Sequence, residues 1–170
     1  MPMARRTFLA SATALIGAAA GAFYLRNDAN AASDGAFPVS FTPDQWRERL
    51  TPAQFSVLRD HATEAPFSSP LNDNKKSGLY SCAGCDTPVY SSETKFDSGT
   101  GWPSFYAPLS ASVIGTSNDY ALIYPRTEVH CATCGGHFGH IFDDGPKPTG
   151  KRHCLNGVAL KFKPGASTVG

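Results

Sequence analysis

Cysteines are the residues of this sequence best suited to chemistry, and four of the five form two pairs. The pairs, Cys82-Ala-Gly-Cys85 and Cys131-Ala-Thr-Cys134, share the C-x-x-C spacing. Two such turns can place four thiolates around one zinc ion in tetrahedral geometry. Because four thiolates leave no open coordination position, the pattern predicts a structural zinc site. Two redox-active disulfides and buried free thiols are the alternatives for the same residues.

The remaining cysteine, Cys154, lies in a segment where polar and apolar residues alternate. Arg152, Cys154 and Asn156 fall on the same side of a predicted strand as the apolar residues of 158–162. The apolar end belongs in a core, which places the polar end at the mouth of a cavity. An arginine beside a thiol favours the thiolate, which is the nucleophilic form. The sequence therefore predicts a nucleophilic Cys154, with a small buried core cysteine as the alternative.

Two histidines follow the second cysteine pair, in the segment CATCGGHFGH at 131–140. His137 and His140 are three residues apart, so they share one face of a strand only if a bulge, for which Gly139 is the candidate, realigns them. They are then available for proton transfer. The alternatives are two structural side chains, or a mixed Cys/His metal site that leaves Cys82 and Cys85 unused.

The elements that must position these residues are two short helices followed by strands. The motifs TPDQ at 42–45 and TPAQ at 51–54 each carry a threonine N-cap, proline at the first helical position and glutamine three residues after the cap. From Pro66 onward, Gly, Pro, Ser and Asn separate short aromatic or β-branched runs, at 113–116, 120–124 and 158–162 among others. We therefore expect two helices and a mainly antiparallel β body.

Composition is that of one folded domain without a nucleic-acid surface. The chain has 170 residues, of which 41% are hydrophobic and 17% charged, too apolar for a disordered protein. A formal net charge of +1 offers no basic footprint for phosphate backbones. We expect no nucleic-acid partner.

The N-terminus resembles a twin-arginine export signal. Arg5 and Arg6 precede an apolar run that continues to Leu25, and Ala29-Asn30-Ala31 offers a cleavage site. We expect a signal peptide at 1–31, a linker at 32–41, the folded domain at 42–165 and a tail at 166–170. The mature protein is then exported to the periplasm of a bacterium. If the signal is retained, the apolar run anchors the protein to the membrane.

Three blocks of the sequence resemble signature segments of the peptide-methionine (R)-S-oxide reductases, the B-type methionine sulfoxide reductases. These blocks are ETKFDSGTGWPSF at 93–105, HCATCGGHFGHIFDDGP at 130–146 and KRHCLN at 151–156. The resemblance runs from about residue 42 to residue 164. It implies two antiparallel sheets in a tent-like or barrel-like arrangement, short N-terminal helices and a four-cysteine zinc site away from the active site.

The resemblance also implies a reaction. The implied catalytic residues are Cys154, His137, His140, Asn156 and Arg152. The cysteine thiolate attacks the sulfoxide sulfur and ends as a sulfenic acid, and the two histidines supply protons to the oxygen. The asparagine and the arginine orient the site and stabilise charge. Trp102 matches an aromatic wall that holds the substrate methyl group, and Phe142 is predicted to bind substrate with it. The expected substrate is the R epimer of methionine sulfoxide, mainly in oxidised proteins.

The sequence departs from many family members at Thr100. These members carry a resolving cysteine in the Gly-x-Gly-Trp segment, whereas this chain has threonine there. With the other four cysteines assigned to zinc, no thiol is left to form an intramolecular disulfide with Cys154. We therefore expect a one-cysteine enzyme whose sulfenic acid is reduced by an external thiol, such as a thioredoxin-like protein.

Two other classes of function fit parts of the sequence. A non-catalytic zinc-stabilised β module could bind a partner through its aromatic cleft, and Cys154 would then be replaceable. A zinc hydrolase could use His137 and His140 as ligands, but it needs a third protein ligand and an open coordination position.

Overall fold

The computed structural model describes residues 37–120 and 124–168. The predicted signal peptide, the first half of the predicted linker and the centre of the predicted strand at 120–124 lie outside the described residues. Within the described ranges, no helix is long and apolar enough to cross a membrane.

Two short helices begin where the sequence predicts. Helix α1 spans Pro43–Arg49 and helix α2 spans Pro52–Asp60. In each, the threonine N-cap accepts a hydrogen bond from the glutamine N–H, and the glutamine side chain accepts one from the cap N–H. These capping boxes satisfy backbone donors that a helix start leaves unpaired, so both helices form despite their length.

The strands of the described residues form two antiparallel sheets. They are β1 (Gly78–Cys82), β2 (Pro88–Ser91), β3 (Lys95–Phe96), β4 (Ser104–Phe105), β5 (Ile114–Asp119), β6 (Arg126–Cys131), β7 (His137–Phe142), β8 (Arg152–Leu155) and β9 (Leu160–Pro164). The small sheet has the order β2-β1-β9, and the large sheet has the order β3-β4-β8-β7-β6-β5. The predicted two-sheet fold is confirmed. Neither sheet closes into a barrel in the part of the chain described.

The strand predicted to run unbroken from 152 to 162 is interrupted. Strand β8 ends at Leu155, and a 3-10 turn over Gly157–Ala159 leads into β9 of the other sheet. The cause is Glu64, whose carboxylate accepts hydrogen bonds from the backbone N–H groups of Gly157 (2.5 Å) and Val158 (3.0 Å). These groups cannot also pair with a neighbouring strand, so the polar and apolar halves of the segment lie in different sheets.

Aromatic side chains connect the two sheets in the core. Tyr80 and Tyr90 of the small sheet pack on Phe105 of the large sheet, with ring centroids 5.0 and 4.7 Å apart. All three are fully buried. The Tyr90 hydroxyl hydrogen-bonds Nδ1 of His153 at 3.0 Å. Burial lowers the pKa of His153 to about 4, so this ring is neutral and its Nδ1 accepts the hydrogen bond that the Tyr90 hydroxyl donates. The residue before Cys154 is thereby fixed in the core.

A bulge interrupts the pairing of β6 with β7. Val129 lies opposite Gly139, but His130 lies opposite His137, so β7 has an additional residue between these pairs. The bulge predicted near Gly139 is confirmed. Its consequence is that the rings of His137 and His140 approach to a centroid distance of 5.4 Å.

We expect Gly139→Ala to destabilise the fold by about 2 kcal/mol or more, as overpacking typically does. The reason is that a β-carbon at Gly139 would collide with the backbone carbonyl oxygen of Cys154 on the neighbouring strand. Chemical denaturation measures the loss. Gly150→Ala is the matched control, because Gly150 also has a positive φ of 69° but has no atom within 4 Å of the added carbon. Equal losses in the two variants would contradict this account.

Candidate active site and four-cysteine cluster

Cys154 lies in a cavity of about 140 Å³ on the large sheet. The lining residues are Thr63, Trp102, Arg126, Gly139, His140, Phe142, Cys154, Leu155 and Asn156. Five of the seven predicted catalytic and substrate-binding residues therefore meet in one cavity. The other two contact the lining: Arg152 stacks on Phe142, and the ring of His137 lies against that of His140.

Burial and charge act on the Cys154 thiol in opposite directions. Burial raises the pKa of Cys154, whereas the positive charge of Arg152 and a hydrogen bond with Thr100 lower it. Burial is the largest of these effects, and the pKa lies above its ordinary value. Arg152 thus favours the thiolate, as predicted, without outweighing burial. The Thr100 hydroxyl oxygen is 3.9 Å from the Cys154 sulfur.

Arg152 is held rigidly by Asp144 and Phe142. Its guanidinium donates two hydrogen bonds to the Asp144 carboxylate, at 2.8 and 2.9 Å, and its central carbon lies 4.4 Å from the Phe142 ring centroid. The paired carboxylate raises the pKa of Arg152, so the arginine keeps its charge. Sequence reasoning missed Asp144, although it lies within the second family block.

Asn156 is a positioning residue. Its side-chain NH₂ donates to the carbonyl of Phe138 at 3.0 Å, and its side-chain oxygen accepts from the backbone N–H of Glu64 at 2.9 Å. Both ends of the amide are therefore bound to main chain. Through these two hydrogen bonds, Asn156 connects the end of β8 to β7 and to the loop after α2.

Glu64 organises the same region and was not predicted. Its backbone N–H donates to Asn156, its carboxylate accepts from the N–H of Gly157, and its carbonyl accepts a hydrogen bond from the Trp102 indole at 3.1 Å. One residue therefore fixes Trp102, Asn156 and the break between the sheets. No spacing pattern marks it, because Glu64 lies in a loop and reaches its partners only through the tertiary fold.

His140 faces Cys154 across the strand pair. It lies opposite Cys154 in the register of β7 and β8. Its Nε2 is 2.7 Å from the Asp119 carboxylate, which also binds Arg126 at 2.5 Å. Burial lowers the pKa of His140, and the hydrogen bond with Asp119 opposes that shift. A carboxylate therefore orients this ring beside the thiol.

His137 is buried next to it, with a 2% exposed side chain. Its Nδ1 lies 2.8 Å from a carboxylate oxygen of Glu128. Its Nε2 is buried and has no hydrogen-bond partner among the described residues. Leaving such an atom unsatisfied costs free energy, and atoms of this kind are typical of functional sites.

Phe67 lies beside the Trp102 segment. The residue is 69% exposed, and its backbone has a positive φ of 63°, which is strained for a bulky residue. Its N–H donates to the Gly101 carbonyl at 2.7 Å. An exposed aromatic residue held in a strained conformation beside this segment indicates a contact surface.

The two C-x-x-C turns meet as predicted. The sulfurs of Cys82, Cys85, Cys131 and Cys134 all lie within 4.8 Å of one another. The Cys82–Cys134 and Cys85–Cys131 sulfur distances are 3.6 and 3.5 Å. Sulfurs bound at about 2.3 Å around a tetrahedral zinc lie about 3.8 Å apart, so the cluster fits a metal ion. None of these cysteines forms a disulfide. The meeting of all four sulfurs in one group favours the predicted four-cysteine site over two separate disulfides and over a mixed Cys/His site.

Comparison with known proteins identifies the family. The model of the SelR domain matches residues 50–164. The peptide methionine sulfoxide reductase MsrB of Agrobacterium fabrum is 50% identical over 126 residues, which cover 74% of this chain and 93% of that protein. The chain belongs to the MsrB family. The Pseudomonas putida MsrB is 50% identical over 74% of this chain and 95% of its own length. The mouse mitochondrial methionine-R-sulfoxide reductase B3 is 45% identical over 76% of this chain and 51% of its own length.

Membership of the MsrB family decides between the three classes of function. The protein is a peptide methionine sulfoxide reductase, so it is neither a non-catalytic binding module nor a zinc hydrolase. The site agrees, because His137 and His140 bind different carboxylates, and His140 joins none of the potential metal-binding groups of the described residues.

Arg152→Met should shift the reactivity of Cys154 to higher pH. Burial already raises the pKa of this thiol, and removing the charge that opposes burial raises it further. At pH values below both pKa values, the variant therefore holds less thiolate and reacts more slowly with iodoacetamide; at high pH the rates converge. We expect a shift of about one pH unit, at the low end for loss of a close charge. Lys151→Met is the control, because Lys151 is half exposed and pairs with Asp143. Superimposable pH profiles of wild type and Arg152→Met would refute the electrostatic role.

Proposed function

We propose that this MsrB family member reduces the R epimer of methionine sulfoxide in proteins, with Cys154 as the nucleophile. The observation that carries the proposal is the position of the Cys154 thiol, in an aromatic-lined cavity opposite His140. The name of the mouse relative specifies the R-sulfoxide for that protein. This supports the same epimer here.

The net chemical step transfers one oxygen atom. The Cys154 thiolate attacks the sulfoxide sulfur and forms an S–S bond, while the S–O bond breaks and the protonated oxygen leaves as water. Water then attacks the Cys154 sulfur, which breaks the S–S bond, releases methionine and a proton, and leaves Cys154 as a sulfenic acid. The substrate sulfur is reduced by two electrons and the cysteine sulfur is oxidised by two. The sulfoxide oxygen needs a proton as the bond breaks, and His140 and His137 are the donors we propose. Asp119 and Glu128 orient these two rings.

Substrate binding falls to the aromatic residues of the cavity. Trp102 and Phe142 offer flat, polarisable faces to the methyl group beside the reacting sulfur. Glu64 and Arg152 hold these two rings in place. The exposed Phe67, bound to Gly101 next to Trp102, supports a substrate that continues as polypeptide.

Regeneration requires an external thiol. Thr100 takes the place of the resolving cysteine, and its hydroxyl cannot form a covalent bond to the sulfenic acid. Two thiol groups of a reductant return Cys154 to the thiol, with release of water and formation of a disulfide in the reductant. A dithiol protein of the thioredoxin class supplies both groups.

We also propose export by the twin-arginine route, supported by Arg5, Arg6 and the apolar run after them. The mature enzyme is then periplasmic. Changing both arginines to lysine and following the location of the precursor tests this; export at the wild-type level would overturn it.

The catalytic cycle is tested by one turnover without reductant. Purified enzyme should convert about one equivalent of R-sulfoxide peptide, leave the S epimer untouched, and carry a dimedone-reactive sulfenic acid on Cys154. Cys154→Ser should lose turnover by orders of magnitude and keep its fold, because a hydroxyl is a far weaker nucleophile at neutral pH. Mass spectrometry locates the adduct. Consumption of the S epimer, or a disulfide from Cys154 to a cluster cysteine, would refute the cycle.

Thr100→Cys is the companion variant. A sulfur in place of the Thr100 hydroxyl starts about 3.9 Å from the Cys154 sulfur and needs to move about 2 Å to reach bonding distance. We expect turnover to leave this variant with an intramolecular disulfide instead of a stable sulfenic acid. A persistent sulfenic acid in Thr100→Cys would show that the loop cannot close.

The cluster should hold one structural zinc per chain. Cys82→Ser and Cys131→Ser should each lose the metal and unfold the domain, because binding of a structural zinc contributes directly to folding free energy. Elemental analysis and circular dichroism measure the two effects. Cys154→Ser is the matched control, since that cysteine is outside the cluster and should leave the zinc content unchanged. A folded, metal-free wild-type protein would disprove the zinc assignment.

A further inference from the structure

A second group of potential metal ligands surrounds the carboxylate of Glu128. His61, Glu128 and His137 each place one ligand atom within 4.8 Å of the others. The Nδ1 atoms of His61 and His137 lie 3.3 and 2.8 Å from the same oxygen, Oε1 of Glu128. Nδ1 of His130 lies 3.5 Å from the other oxygen, Oε2. Three imidazoles therefore direct the same nitrogen at one carboxylate.

Three different elements bring these side chains together. His61 follows the last turn of α2 in a left-handed conformation with φ 56°. Glu128 and His130 are two residues apart on β6, so they share a face of that strand. The bulge in β7 places His137 directly opposite His130. The arrangement thus depends on the same bulge that brings His137 to His140.

The distances suit a bound cation. Two ligand atoms at about 2.1 Å from a metal lie about 3.0 Å apart at a right angle and about 3.4 Å apart at a tetrahedral angle. The contacts of Glu128 with the three histidines span 2.8 to 3.5 Å. Imidazole nitrogens with a carboxylate form a ligand set that suits zinc, copper and nickel.

The charge of the group also favours a cation. Hydrogen bonds with His130, His137 and His61 hold the pKa of Glu128 well below its usual range, so the group is a carboxylate at neutral pH. In the described part of the chain, every ion pair of Glu128 is to a histidine. Arg59 is the nearby permanent cation, but it donates to the Cys134 carbonyl and stacks on the Trp46 ring.

Solvent reaches the group from a cavity of about 250 Å³ that shares no lining residue with the Cys154 cavity. His61, Glu128 and His130 line it. The side chain of His61 is 61% exposed, whereas that of Glu128 is 9% exposed. A hydrated metal ion can therefore approach the carboxylate past the exposed side chain of His61.

We propose that His61, Glu128 and His137, with His130 at the cavity side, bind a divalent transition metal such as Zn²⁺ in a site separate from the four-cysteine cluster. A metal on Nδ1 keeps His137 a neutral imidazole, whose remaining N–H is a far weaker acid than an imidazolium. Metal bound there should therefore slow sulfoxide reduction. This last consequence rests on the proposed role of His137 as a proton donor, whereas the binding site does not.

Binding is measured by titration calorimetry with ZnCl₂ on Cys154→Ser protein that carries its cluster metal. This background removes the catalytic thiol as a competing ligand. We expect one further equivalent of zinc per chain, with an affinity reduced about tenfold or more by His61→Gly or by Glu128→Gln. Glycine at 61 suits the left-handed backbone, so this variant keeps the fold. His140→Ala is the matched histidine control and should bind zinc like its parent.

The proposed site would be overturned if the protein bound no further zinc ion per chain, or if His61→Gly bound zinc with the same affinity as its parent. Inhibition is measured separately, with the active Cys154 protein and R-sulfoxide peptide. Stoichiometric zinc should lower the turnover of the wild type severalfold, while His61→Gly should keep its metal-free rate. Zinc binding as expected with undiminished turnover would refute the inhibitory effect and leave the site intact. An inactive wild type would contradict the proposed function, which the calorimetry does not depend on.

Discussion

The position of the two sheets relative to each other depends on the four-cysteine cluster. In the described residues the sheets share no strand pair, yet Cys82 ends β1 of the small sheet and Cys131 ends β6 of the large one. Four thiols packed within 4.8 Å of one another are most stable when a bound cation neutralises their thiolates. Strand β7 begins three residues after Cys134, at His137, so the position of His137 depends on the cluster. Structure and reaction are thereby coupled although the cluster has no open position for substrate.

The second constraint is the turn that Glu64 imposes after β8. Because the chain leaves the large sheet at Asn156, Cys154 lies near a strand end, where a cavity can form beside it. The thiol is partly buried there, and burial opposes ionisation. Arg152, fixed by Asp144, supplies the counteracting charge without filling the cavity. In the proposed reaction, the site therefore balances the burial of the thiol against the need for a thiolate.

Local patterns made the helices, the cysteine cluster and the β7 bulge predictable. A capping box and a C-x-x-C turn each depend on residues only a few positions apart, so spacing carries the information. The strand break at Gly157 was missed because its cause, Glu64, is distant in sequence and unmarked by any motif. Asp119 and Glu128, which orient the two histidines, were missed for the same reason. A single acidic residue on a strand has no periodicity that distinguishes it from a solvated one.

The absence of a resolving cysteine changes what the cavity must admit. Thr100 and Ser98 form a hydroxyl pair, 2.8 Å apart, that contacts Cys154 only through Thr100. Hydroxyls can hydrogen-bond an oxidised sulfur but cannot reduce it, so the proposed cycle needs an external thiol at the Cys154 sulfur. A cavity of about 140 Å³ accepts a side chain, not a folded domain. In the proposed cycle, the reductant therefore presents its cysteine on a protruding segment. Product release then precedes recycling, because a cavity of this size does not hold both methionine and the reductant's cysteine.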